Sequence, residues 1–176
     1  QSRSSAASDV YKRQVVSSIQ TSLVMYSIYK YGNEEQKRKY LPKLASGEIL
    51  GSFAMSEPSH GSDISNMRTK FEIRDEKIVI LGSKLWIGNA SKADISIVWA
   101  KNSNDKVQAI VVETKNITNF KSTLIEGKMS FRSSHTGELF FDSSIVSKDQ
   151  LLQKTKSIKD AYECLNIGRY AVAWGS

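Results

Sequence analysis

An apolar run, Gly51-Ser52-Phe53-Ala54-Met55, breaks at Ser56-Glu57-Pro58 into a loop of hydroxyls and glycine, Ser59-His60-Gly61-Ser62-Asp63. Such a loop offers backbone N–H groups and little side-chain bulk, which is the chemistry a phosphate or a flavin edge requires. Downstream, Lys84-Leu85-Trp86-Ile87-Gly88-Asn89 reads as a strand carrying a tryptophan, a wide flat surface suited to a planar cofactor. Taken singly, each stretch also reads as something ordinary, a turn in one case and a core tryptophan in the other. His60 and His135 read as loop residues, and two histidines with one cysteine do not make a metal site.

The order of these stretches adds what neither has alone. Met55-Ser56-Glu57-Pro58, then His60-Gly61-Ser62-Asp63, then Trp86-Ile87-Gly88-Asn89 resembles the flavin-binding signatures of acyl-CoA dehydrogenases. Ser22-Leu23-Val24-Met25, Tyr31-Gly32-Asn33-Glu34-Glu35-Gln36-Lys37, Tyr40-Leu41-Pro42-Lys43-Leu44, Cys164-Leu165-Asn166 with Arg169-Tyr170, and Ala173-Trp174-Gly175 extend the likeness. It runs from about Ser18 to the last residue and is nearest to the glutaryl-CoA dehydrogenase branch.

The resemblance implies a noncovalent FAD site lined by Phe53, Ala54, Met55, Ser56, Ser62, Trp86, Ile87 and Gly88. In it the Ser56 hydroxyl and nearby N–H groups bond the flavin's polar edge, and Trp86 packs on the ring face away from substrate. Ser62 would also touch the coenzyme A chain, and Arg169 would lie beside the substrate. Arg132, in Phe131-Arg132-Ser133-Ser134-His135-Thr136-Gly137, would pack between domains. The family's catalytic glutamate is expected beyond residue 176, so Glu57 is not assigned that role and no catalytic residue is named within the chain. Two departures stand out: glycine at 88, where the family often has threonine, and Gln14-Val15 where it has an Arg-Ser pair.

The implied activity is α,β-oxidation of an acyl-CoA thioester, with decarboxylation to crotonyl-CoA if glutaryl-CoA is the substrate. The implied partners are acyl-CoA and an electron-transfer flavoprotein, within a homotetramer. Two alternatives stay open: an acyl-CoA oxidase of the same fold, to which Gly88 also points, and a non-catalytic β-sandwich binding module. The compartment would be cytoplasmic in a bacterium or the mitochondrial matrix in a eukaryote.

Composition agrees with a soluble globular reading. The chain has 176 residues, 40% of them hydrophobic, and no stretch long and apolar enough to cross a bilayer. Its net charge of +7 comes from lysines spread along the chain without interleaved aromatics, so a solvated surface is favoured over nucleic-acid binding. Cys164 alone excludes an internal disulfide framework. A basic surface would also attract the phosphates of coenzyme A.

The elements that must position the loop follow from periodicity. Residues 1–14 are polar and aperiodic and read as a disordered leader that looks non-native. Residues 15–48 read as the end of a helical domain. In its first helix Ile19, Leu23, Tyr26 and Tyr29 share a face, and Gly32 ends it in a left-handed cap. In its second, Asn33 and Gln36 form a capping box, Tyr40, Leu41 and Leu44 face inward, and Ser46-Gly47 stops the helix. Residues 49–152 read as a β-domain with strands at Ile49–Met55, Phe71–Arg74, Lys77–Leu81, Leu85–Ile87, Ile95–Ala100, Val107–Val112 and Glu138–Phe141. Turns are expected at Asp75-Glu76 and at Asn102-Ser103-Asn104-Asp105. Short strands without intervening helices imply an antiparallel barrel or sandwich, and the absence of Gly-x-Gly-x-x-Gly argues against a dinucleotide-binding sheet. Residues 153–176 begin another helical domain, with Ser157 as N-cap and Ile158, Ala161, Tyr162, Leu165 and Val172 on one side. Because this last run ends within a helix, the sequence is expected to be a fragment. The fold class is thus α+β, acyl-CoA dehydrogenase-like: a helical segment, an antiparallel β-domain and the first helix of a C-terminal helical domain.

Overall fold

The computed structural model describes residues 15–129, 131–132 and 134–173. The leader 1–14, Ser133 and Trp174-Gly175 lie outside the described residues.

The first helical run is not uniform. Ile19–Met25 winds as a π-helix and continues directly into α1 (Tyr26–Tyr31). The wider turns shift the phase of the face, so Gln20, Val24, Ser27, Ile28 and Tyr31 are buried while Tyr29, expected on the inner side, is exposed. Gly32 ends α1 in extended backbone at φ −75°, not in the expected left-handed cap. Helix α2 (Glu34–Ser46) matches its sequence signals: Asn33 and Gln36 form the full capping box, and Gly47 closes the helix at φ 75°. Its inward face carries Tyr40 and Leu44.

Seven strands follow: β1 (Gly51–Ala54), β2 (Lys70–Arg74), β3 (Lys77–Ile87), β4 (Ile95–Lys101), β5 (Val107–Glu113), β6 (Phe120–Leu124) and β7 (Gly137–Ser147). They form one curled sheet in the order β1-β4-β2-β3-β7-β6, with β5 also on β4. The sheet is mixed, which corrects the purely antiparallel expectation: β1 runs parallel to β4 from Gly51↔Ile95 to Ala54↔Val98, and β2 joins β4 in parallel at Lys70↔Lys101. Strand spacing along a chain does not reveal such crossovers. The segment 85–87 is no separate strand but the end of β3, set off by an irregularity between Lys84 and Ile87 in the pairing with β7. Strand β6 has no sequence signal of its own, because this polar edge strand buries none of its five residues. The hairpin at Asp75 and the turn at Asn102–Asp105 are present, each with one residue at positive φ.

Strands β4 and β5 are covered on both faces. Ile95, Ile97 and Trp99 of β4 join a core shared with the helices, whereas Val98 and Ala100 join a second core with Phe71, Ile78, Ile80, Leu139 and Phe141. This is why β4, apart from Ser96, reads as an apolar run up to Ala100 while β3 and β7 largely alternate. Helix α3 (Ile158–Ala173) buries Ala161, Cys164 and Gly168. Ser27 Oγ lies 3.3 Å from Cys164 Sγ, and burial pushes that thiol up to about 11. Val172, expected on the inner side, is exposed. Ser157 Oγ accepts from Lys159 N, and Asp160 Oδ2 accepts from Ser157 N and Lys156 N, so the start of α3 is capped by both residues.

Candidate functional site

A cleft of about 260 Å³ opens where β1, the end of β3, the π-helix and α3 meet. It is lined by Phe53, Met55, Ser56, Trp86, Ile87 and Gly88 of the expected set, joined by Ile19, Leu23, Ile64 and Leu165. A larger hollow of about 690 Å³, between the π-helix and α2, gathers none of the expected residues.

Strand alternation sorts the β1 residues. Phe53 and Met55 belong to the core on the helix side, where the cleft lies, but Ala54, like Ile87 at the end of β3, points into the opposite core and can reach the cleft only through its backbone. Trp86 is 60% exposed at the cleft rim, with φ 63°, in the irregular stretch of β3. A large residue in left-handed backbone is uncommon, and here it turns the indole outward. Gly88 lies close to the π-helix: a Cβ there would come within 2.4 Å of Ile19 Cδ1. Ser62 is exposed, two residues before the lining Ile64. Arg169 is exposed on α3, one turn beyond the lining Leu165, and donates to Asn166 Oδ1 at 3.3 Å. Both stand outside the cleft proper. Arg132 is exposed, its Nε donating to the Lys128 carbonyl within its own loop.

The Ser56 hydroxyl donates to the Leu85 carbonyl oxygen at 2.6 Å, and Leu85 N donates back to the Ser56 carbonyl at 2.9 Å. Its proton is therefore already engaged, leaving lone pairs for a ligand. None of the described residues lining the cleft carries a carboxylate.

Behind the cleft lies a group that motif reading left without a role. Lys84 is fully buried, with Nζ 2.9 Å from Glu57 Oε1 and 3.1 Å from the Met55 carbonyl oxygen. Glu57 also accepts from Arg68 N at 2.6 Å and Thr69 N at 2.9 Å. Burial presses Lys84 down to about 8 against the pull of Glu57. Burial pushes the Glu57 carboxyl up, but Lys84 and the N–H groups of Arg68 and Thr69 outweigh it and hold the group below the usual carboxylate range. His60 Nδ1 lies 3.8 Å from Glu57 Oε2. One sequence signal was available: Lys84 is in phase with the inward Ile78 and Ile80 of its strand.

Comparison with known proteins shows which family the chain belongs to. Residues 52–144 match the acyl-CoA dehydrogenase middle domain, and residues 6–48 match the N-terminal domain of the same family. The chain belongs to the acyl-CoA dehydrogenase family. It is 40% identical over 164 residues to an acyl-CoA dehydrogenase of Bacillus subtilis, covering 90% of this chain and 43% of that one. It is 37% identical over 155 residues to a glutaryl-CoA dehydrogenase of Desulfococcus multivorans, covering 85% and 40%. Its fold superposes with a TM-score of 0.87 on the Mycobacterium smegmatis glutaryl-CoA dehydrogenase in complex with FADH2, at 36% identity over 90% of this chain and 40% of that one. The chain thus spans less than half the length of these acyl-CoA dehydrogenase relatives. Among the described residues, no helix is long and apolar enough to cross a membrane.

Proposed function

We propose that the cleft is the flavin site of an FAD-dependent acyl-CoA dehydrogenase that oxidises the α,β-bond of an acyl-CoA thioester. One observation carries the reading. In a chain of this family, Phe53, Met55, Ser56, Trp86, Ile87 and Gly88, distant in sequence, converge on a single cleft. The residues suit a planar ring: an exposed indole and two apolar side chains offer faces, and Gly88 keeps that wall thin.

FAD, when bound, supplies the acceptor for the substrate's β-hydride. The part of this chain is to hold and shield. Phe53 and Met55 exclude water from the ring, Ile87 lines it through its backbone, Trp86 covers one face and leaves the other to the thioester, and Ser56 contributes polar contacts at the edge. Ser62 and Arg169, outside the cleft on either side, are assigned to the coenzyme A chain and the substrate. Ala54 contributes through its backbone. The domain division at about residues 48 and 152 follows from the same reading, as do an electron-transfer flavoprotein as electron acceptor and a homotetrameric assembly. Glutaryl-CoA is the first substrate to try, because relatives of that name are among the similar chains.

The test is to express the complete coding sequence, record its visible spectrum, and assay glutaryl-CoA and butyryl-CoA with an artificial electron acceptor. A yellow protein that reduces the acceptor with an acyl-CoA is the expected result. A folded, colourless protein with no affinity for added FAD would remove the proposal.

A further inference from the structure

The two walls of the cleft come from chain segments nearly thirty positions apart, and one buried ion pair joins them. Met55 ends the β1 wall and Trp86 stands on the β3 wall. Lys84 Nζ reaches across to the Met55 carbonyl at 3.1 Å and to Glu57 Oε1 at 2.9 Å, with Met67 Sδ at 4.0 Å as a third neighbour. Glu57 passes the connection on to the backbone at Arg68 and Thr69. The reciprocal bonds between Ser56 and Leu85 complete the seam.

Stability alone does not account for such a pair. Removing two charges from water is costly, and apolar residues of similar volume commonly serve a fold as well or better. Two geometric facts give the pair a task. The Lys84 ammonium ends on the backbone carbonyl of Met55, which lines the cleft, and only two positions after Lys84 the chain holds Trp86 in left-handed backbone. A side chain kept in an unfavourable backbone region must be fixed by its surroundings. Here the fixing contacts are the seam between residues 55–57 and 84–85.

We propose that Lys84 and Glu57 are a positioning pair for the flavin: their buried contact sets the separation and tilt of the two cleft walls, and flavin affinity depends on it. The pair touches neither flavin nor substrate and acts through Met55, Ser56 and Trp86. This rests on the flavin reading of the cleft.

The experiment uses the protein from the complete coding sequence and compares wild type with Glu57→Gln and with Lys84→Met/Glu57→Gln. The double substitution removes both buried charges together, and the amide at 57 still accepts from Arg68 or Thr69 N–H. The double variant should melt close to wild type yet hold FAD on the order of tenfold less tightly, the equivalent of one well-placed hydrogen bond. The blue absorption band of its bound flavin should change shape, a signature that a purely structural role would leave alone. If the double variant does not fold, Glu57→Gln is read by itself: a raised FAD Kd with an altered band supports positioning. A folded variant with unchanged FAD Kd and unchanged band overturns it. Failure of wild type to bind FAD would remove the flavin reading and this proposal together, whereas normal wild-type binding with an indifferent pair removes the proposal alone.

Discussion

The two sides of the curled sheet handle their buried polar groups differently. On the helix side, the Gln20 amide donates to the Leu44 and Ile49 carbonyls at 3.0 and 2.8 Å and accepts from Gly51 N at 2.8 Å, while the buried Trp99 indole N–H has no partner among the described residues. The other core is aliphatic and aromatic, with Phe120 and Phe141 ring centroids 5.2 Å apart. On that face Ser52 and Ser96 stand opposite each other across β1 and β4, and neither hydroxyl has a partner among the described residues. Polar bonds fix distances and directions, whereas apolar packing mainly excludes water. The cleft opens on the side that the Gln20 bonds tie together.

The contrast is tested most severely with the two tryptophans. Trp99 is fully buried in the helix-side core, so Trp99→Ala in the complete protein should cost about 3–5 kcal/mol in denaturant unfolding. Trp86→Ala should leave stability nearly unchanged and weaken FAD binding about tenfold, because its ring is exposed at the cleft. Equal FAD dissociation constants for the two variants would count against the placement of Trp86.

Gln20→Leu comes next, with an expected loss of about 2 kcal/mol, since it strands the backbone groups of Leu44 and Gly51 in the interior. Thermal melts of the variant beside wild type measure this, and an unchanged melting temperature would break the claim that these bonds matter.

Acid should also act, through two carboxylates. Burial pushes Glu57 and Glu113 up, but Lys84 with the Arg68 and Thr69 N–H groups for one, and Lys39 with Tyr40 for the other, hold both below the usual range. A carboxyl held low in the folded state contributes stability that is complete above its unfolded pKa and is lost as pH falls through the folded one. Melting temperature should therefore fall progressively below about pH 4.5. Glu57→Gln should flatten that fall, and a slope identical to wild type would dismiss Glu57 as a contributor.

The smallest effect carries the opposite sign. Ser96→Ala removes an unpartnered buried hydroxyl and should stabilise by about 1 kcal/mol or less. Measurable destabilisation in urea unfolding would show that this hydroxyl is bonded after all, and that the two sides are less different than they look.

Much of this arrangement was legible in the residues themselves. The Asn33–Gln36 capping box, the left-handed Gly47 and the turns at Asp75 and Asn102–Asp105 all arise from neighbours within a few positions. So does the ordered pair of motifs that supplied most of the cleft. Local rules were least reliable where local geometry departs from a simple period: the π-helix displaced Tyr29 from the core, and the irregularity in β3 turned Trp86 outward.

By itself, then, the sequence determined which segments are helical, most of those that are extended, and which stretches resemble the family's flavin signatures, because these depend on side-chain period, caps and motif order. Only the tertiary structure decided that β1 lies parallel to β4, that Ala54 faces away from the cleft, that Leu165 of α3 closes one side of it, and that Lys84 is buried on Glu57. Each of these depends on contacts between segments tens of residues apart, whose choice among possible partners is settled by the joint packing of the whole fold and not by any local pattern.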